Sequence, residues 1–246
     1  MYRYQILVEY DGSSYIGWQK QKRGISIQGT LEKTLTKVLK ENIILQGSGR
    51  TDAGVHALEH SSHFDIKTKI KKIDTLIKSL NFFLKKKNIS ILSITKKRNN
   101  FHARFSAKER IYKYIILNRL SPSSINNGKV WHITKKLDIK KMKEGSKFLE
   151  GTHDFSAFRS SSCNAKSAIR TIRKITIKKN NKELILRFKS QSFLHQQVRS
   201  MVGCLKYLGE NKWDLIKFNK VIKSKKRILC APPAPAEGLF LEKIIY

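Results

Sequence analysis

Apolar positions along the chain alternate, then cycle, in an order that occurs twice. YRYQILVEY (2–10) carries the period-two pattern of a half-buried strand, and over 27–40 the residues Ile27, Leu31, Leu35, Val38 and Leu39 fall on one helical face. A short strand is expected at 43–45, followed by a glycine turn and by VHALEHSSHF (55–64), which reads as a further strand. Ile70, Ile73, Leu76, Ile77 and Leu80 mark a second helix, and ISILSI (89–94) a closing strand. Beyond 99–105 the series starts again. RIYKYIIL (110–117) is a strand, Ile139 to Leu149 a helix, AIRTIRKITI (168–177) and ELILRF (183–188) two strands, and Leu194, Val198, Met201, Val202, Leu205 and Leu208 a helix face. An extra helix at 213–222 stops at the Pro-rich APPAPAEG, and GLFLEKII (238–245) closes the set.

The order is β-α-β-β-α-β in each half, the split βαβ or ferredoxin-like plan. The expected fold class is therefore α+β: two tandem ferredoxin-like, RRM-like halves whose antiparallel sheets carry helices on one face and form a cleft. The first half, 1–105, contains the glycine turn, and the second runs over 106–246. No sequence identity links the halves, so the repeat is one of form. RNA-binding domains use this plan with an open sheet face that stacks bases.

Composition sharpens the picture. A chain of 246 residues, 40% of them hydrophobic, can bury one large core or two small ones. Its 51 basic and 18 acidic residues leave a formal net charge of +33, which points first to a nucleic acid whose counterions are released on binding, and second to an anionic membrane surface. The 38 lysines outnumber the 13 arginines, and Ile and Asn are abundant, so part of the excess reads as compositional drift. Runs such as Lys85 to Lys87 then read as solvated faces, and the arginines carry more information. Three widely spaced cysteines, Cys163, Cys204 and Cys230, suggest neither a disulfide framework nor a zinc site and fit a reducing, cytoplasmic compartment. No stretch reaches the length of a membrane span, and no targeting segment is expected.

Residues 47–57, GSGRTDAGVHA, are the most distinctive stretch. A P-loop would need Lys and Ser or Thr after the last glycine, where Val55 and His56 stand; a Rossmann fingerprint would open a helix, whereas a strand follows. His56 and His60 are expected on one side of that strand and His63 on the other, so no metal site is expected. Taken alone, Asp52 reads as an Asx-turn residue.

GRTDAGVHA resembles the signature loop of the tRNA pseudouridine synthase A family. EYDGSSYIGWQKQ (9–21), SIQGTLEKTL (26–35), FHARFSAKERIYKY (101–114), GTHDFSAF (151–158), HQQVRSMVG (195–203) and AEGLFL (236–241) are similar to further blocks of that family, in order. The resemblance implies that Asp52 is the catalytic nucleophile and that Arg199 is its ion-pair partner. It implies that Tyr112 packs against the target uracil and that Arg50 takes the place of the flipped base. Arg104 and Arg110 are expected at phosphates, Trp18 and Phe155 in packing. Isomerisation by a covalent carboxylate intermediate requires no cofactor or metal. The implied substrate is the tRNA anticodon stem-loop at positions 38, 39 and 40, and the implied assembly a homodimer. Two departures from the pattern stand out: Lys85 where a proline is usual, and His60-Ser61 where Gln-Val is usual. A non-catalytic RNA-binding module is the alternative that charge and open sheets also allow, and Asp52, Tyr112 and Arg199 together favour the enzyme over it; a uridine modifier of ribosomal RNA is a third, weaker reading, because such relatives carry different motif blocks.

Overall fold

The computed structural model describes residues 1–246. Along the first half, β1 (Tyr2–Tyr10) is followed by α1 (Ile27–Leu39), β2 (Gln46–Gly47), β3 (His56–Ile66), α2 (Ile73–Leu84) and β4 (Ile89–Lys97). The second half holds β5 (Glu109–Asn118), β6 (Trp131–Ile133), α3 (Ile139–Lys147), β7 (Gly151–Asp154), β8 (Ile169–Asn180), β9 (Glu183–Ser190), α4 (Gln197–Gly209), α5 (Leu215–Ser224) and β10 (Leu239–Ile245). The fold class is α+β, with predominantly antiparallel strands in two repeated ferredoxin-like sets. No helix is long and apolar enough to cross a membrane.

The chain divides into two compact units, residues 1–108 with 240–246, and residues 109–239. In the first, the strands run β4-β1-β3-β10, with β2 beside β3. β1 is antiparallel to both neighbours, Ile6 standing opposite Ser62 on β3 and Ile94 on β4. The period-two pattern of β1 buries Tyr4, Ile6 and Val8, while α1 contributes Ile27, Leu31 and Leu35 and α2 contributes Leu76, Leu80 and Leu84. Each such side chain stabilises the fold by about 1.5–3 kcal/mol. α1 starts where the Ser26 hydroxyl accepts from the Gly29 N–H, and stops where Lys40 turns left-handed at φ 57°.

In the second unit the strands run β5-β9-β8-β7, with β6 parallel to β5. Tyr112 stands opposite Phe188 and Tyr114 opposite Leu186. α4 buries Val198, Met201, Val202, Leu205 and Leu208, as its periodicity predicts. α3 and α5 begin on Asp138 and Asp214, whose carboxylates accept from the Lys141 and Lys217 N–H groups.

Several boundaries differ from expectation for identifiable reasons. The strand expected at 43–45 forms at Gln46–Gly47 instead, because the Leu45 N–H is taken by the Glu32 carboxylate of α1 at 3.0 Å. α2 starts at Ile73 and not at Ile70, whose N–H bonds the Tyr4 hydroxyl at 3.0 Å. β10, expected to close the second half, pairs in parallel with β3 through Phe240 opposite His56 and Leu241 opposite Ala57.

Candidate active site

Two stretches far apart in sequence build the loop that carries Asp52. The Tyr10 and Thr51 hydroxyls share a hydrogen bond of 2.8 Å in the interior, and the Trp18 N–H donates to the Thr51 carbonyl at 3.1 Å. Thr51 is thus buried and pinned from both ends, while Arg50 is exposed and Asp52 half-buried. The Val55 N–H closes a turn onto the Asp52 carbonyl at 3.2 Å. Gly17 admits this arrangement: its φ is +107°, and a Cβ there would lie 2.5 Å from the Thr51 carbonyl oxygen.

Beneath the loop, the Trp18 indole stacks on the His60 imidazole with centroids 3.6 Å apart, and His60 Nε2 bonds the Gly49 carbonyl at 3.0 Å. The Ser48 N–H donates to the Ser61 carbonyl at 2.8 Å. The His60-Ser61 departure therefore lies in the support of the loop. Lys85 is accommodated in the same way: Lys85–Lys87 forms a 3-10 turn ended by left-handed Asn88, and the Lys87 and Asn88 carbonyls accept from the Tyr15 hydroxyl and the Asp11 N–H.

The three histidines go to separate partners. His56 Nδ1 accepts from the Gly12 N–H at 3.1 Å and its ring stacks on Phe240. His63 Nδ1 accepts from the Ala103 N–H at 3.1 Å. Val8 faces His60 while Tyr10 faces Ala57, so β3 carries one extra residue between them, and the strict alternation expected for His56 and His60 does not hold. Burial, with Arg3 nearby, lowers the His63 pKa to about 4, so the ring is neutral near pH 7.

The 101–106 turn is held by Arg3, which grips Asp65 with two bonds of 2.7 and 2.8 Å and donates to the Asn99 and Phe101 carbonyls. Arg104, exposed on that turn, lies over the Phe105 ring. The Tyr246 hydroxyl sits between Ser61 Oγ and the Ala103 carbonyl at 2.7 and 2.8 Å.

Within the second unit, Tyr112 is half-buried on β5 with its ring edge-to-face against Phe193, in the turn that leads into α4. Tyr114 is fully buried and donates to the Pro235 carbonyl at 2.9 Å; burial pushes its phenol well above the ordinary range. Arg110 donates to the Gln191 carbonyl. Arg199, in the first turn of α4, donates through Nε to the Ala234 carbonyl at 2.7 Å, and the Ala234 N–H returns a bond to the Arg199 carbonyl at 2.9 Å. The Pro-rich segment approaches the helix so closely that a Cβ on Gly203 would lie 2.1 Å from the Pro232 oxygen. Trp18 and Phe155 are buried, as expected of packing residues.

Arg50 and Asp52 thus share one loop of the first unit, with Arg104 on a separate turn of it, while Arg110, Tyr112 and Arg199 belong to the second. The supports Tyr10, Thr51, Gly17 and Ala234 were not foreseen. Their only trace in the sequence is that they fall inside or beside the blocks quoted for the resemblance.

A family model described as tRNA pseudouridine synthase matches residues 6–106 and 146–246. The chain belongs to the tRNA pseudouridine synthase family. A relative from Pelagibacter ubique (strain HTCC1062) is 63% identical over 246 residues, covering all of both chains. One from Sinorhizobium fredii (strain NBRC 101917 / NGR234) is 41% identical over 248 residues, again covering both chains entirely. A third, from Paramagnetospirillum magneticum (strain ATCC 700264 / AMB-1), is 41% identical over all of this chain and 96% of its own. Each bears the name tRNA pseudouridine synthase A. Synthases of this family are isomerases, and the chain is accordingly an enzyme.

Proposed function

We propose that the chain converts uridine to pseudouridine at positions 38, 39 and 40 in the anticodon arm of tRNA, with Asp52 as nucleophile, acting in the cytoplasm as a homodimer. The observation that carries this reading is the double anchoring of Thr51, by Tyr10 and by the Trp18 N–H, which holds the carboxylate-bearing loop rigid while leaving Arg50 exposed. A nucleophile fixed on a stiff turn needs no reorganisation when the base arrives. Asp52 bonds to the nucleoside, the N1–C1′ bond breaks, the uracil turns and C5 bonds to C1′; the bond to Asp52 then breaks, freeing the carboxylate, and the proton lost from C5 is balanced by one gained at N1.

In this reading Arg199 is the ion-pair partner of Asp52, Tyr112 packs against the uracil, Arg50 fills the space left by the extruded base, and Arg104 and Arg110 contact phosphates. The three relatives named tRNA pseudouridine synthase A support the substrate class. The test is Asp52→Asn with unmodified tRNA transcripts. Pseudouridine at 38–40 should fall to background while tRNA affinity is retained. Wild-type product formation by Asp52→Asn would overturn the mechanism, and product elsewhere in the tRNA would overturn the site.

A further inference from the structure

Two of the three cysteines, 26 residues apart in the chain, meet in the second unit. Cys204 Sγ, on α4, lies 3.3 Å from Cys230 Sγ, in the segment that follows α5. Both are free thiols; Cys204 is completely buried, while Cys230 is half-buried. We propose that Cys204 and Cys230 form a peroxide-sensitive dithiol site whose oxidation to a disulfide clamps the Pro-rich segment 230–236 onto α4.

The chemistry assigns the two sulfurs different parts. The hydrogen bond between the two sulfurs and the positive charge of Arg227 hold the Cys230 thiol below its ordinary range, whereas that same bond and burial push Cys204 up. Cys230, the more exposed sulfur and the one whose thiolate is favoured, is thus the one that a peroxide reaches. Its sulfur attacks one peroxide oxygen, an S–O bond forms, the O–O bond breaks, and the leaving oxygen takes a proton to become water. The Cys204 thiol then loses its proton and attacks that sulfur; an S–S bond forms, and the S–O bond breaks with loss of a second water. Two thiols are oxidised and one hydrogen peroxide is reduced. The sulfurs need to approach by little more than an ångström to reach bonding distance of about 2.05 Å.

The site is placed where a crosslink has an effect. Segment 230–236 already lies against α4 through the paired Arg199–Ala234 bonds and through the contact of Pro232 with Gly203. A covalent link at Cys230 fixes the segment at its other end and closes a loop through α5.

The experiment treats purified full-length protein with a small excess of hydrogen peroxide. Free thiols should fall from three to one, with peptides containing Cys204 and Cys230 joined, and dithiothreitol should reverse the change. Cys163→Ser should behave like wild type. Cys204→Ser should instead accumulate a sulfenic acid at Cys230 that dimedone traps, and oxidised wild type should melt about 5–10 °C higher than reduced protein. Crosslinked peptides containing Cys163, dimedone label confined to Cys163, or three surviving thiols would overturn the site. A disulfide that leaves the melting temperature unchanged would overturn the clamp.

Discussion

Gly17→Ala is the sharpest perturbation of the loop that carries Asp52, because it acts without touching a charged group. The backbone at Gly17 has φ +107°, which costs an alanine roughly 1–2 kcal/mol. The new Cβ would lie 2.5 Å from the Thr51 carbonyl oxygen, and ordinary contact begins at 3.4 Å, so that carbonyl must retreat by about 0.9 Å. Forcing such a shift in a packed site costs about 1–3 kcal/mol more. The retreat also breaks the 3.1 Å bond from the Trp18 N–H and carries the next residue, Asp52, with it. A misplacement of about 1 Å at a reacting group lowers the rate on the order of 10²-fold. The assay is single-turnover release of tritium from C5 of uridines in an unmodified tRNA transcript, run beside thermal melting and filter binding. The variant should melt about 5–15 °C lower, lose about two orders of magnitude in rate, and bind tRNA nearly as well as wild type. Leu80→Ala, fully buried on α2, should lose a similar amount of stability, about 2–5 kcal/mol, with its rate unchanged below the melting transition. If Gly17→Ala melts lower but isomerises at the wild-type rate, the loop does not position the nucleophile. The same rate loss in Leu80→Ala would mean that the effect is one of stability alone.

Other outcomes follow from the same contacts. tRNA affinity should fall by orders of magnitude between low and physiological salt, with Arg50→Ala costing more than removal of Lys85 to Lys87; a flat profile, or the reverse order, would show that the arginines do not carry the interface. Tyr112→Phe keeps the edge-to-face contact with Phe193 and removes only the hydroxyl, whereas Tyr112→Ala removes both, so single-turnover rates that fall only for Ala would assign the residue to stacking. His63 is held neutral with a pKa of about 4 in the fold, against about 6.5 when unfolded. Between these values the unfolded chain binds more protons, so the stability due to His63 is complete above pH 6.5 and is lost as the pH falls towards 4, by at most about 3 kcal/mol. His63→Asn, which can still accept from the Ala103 N–H, should flatten the urea midpoint over that window, and an unchanged slope would assign the loss to other groups.

The helices and longer strands were legible because their patterns extend over seven residues or more: Leu31 and Leu35 on α1, or Val198 to Leu208 on α4, leave little freedom of register. β6 and β7 have three and four residues, too few to show a period. The candidate residues were legible through the blocks that contain them, but their supports were not. Nothing in the sequence connects Tyr10 with Thr51, 41 positions away, or Arg199 with Ala234, because a hydrogen bond between distant residues leaves no local pattern. The cysteines teach the same lesson, since their spacing argued against pairing and the fold brings two of them into contact. The histidines failed differently: one extra residue in β3 is enough to defeat an argument from alternation.

The parallel pairing of β10 with β3 has a consequence for the newly made chain. The first unit is interrupted by residues 109–239, and its own strand at His56–Ala57 is completed only by Phe240 and Leu241. On a ribosome adding about 5–20 residues per second, that strand waits on the order of ten seconds with its edge open. Tyr246, which locks onto Ser61 and the Ala103 carbonyl, arrives later still. The loop that carries Asp52 leads directly into this strand, whose pairing at His56 and Ala57 is completed only after residues 240 and 241 have left the exit tunnel.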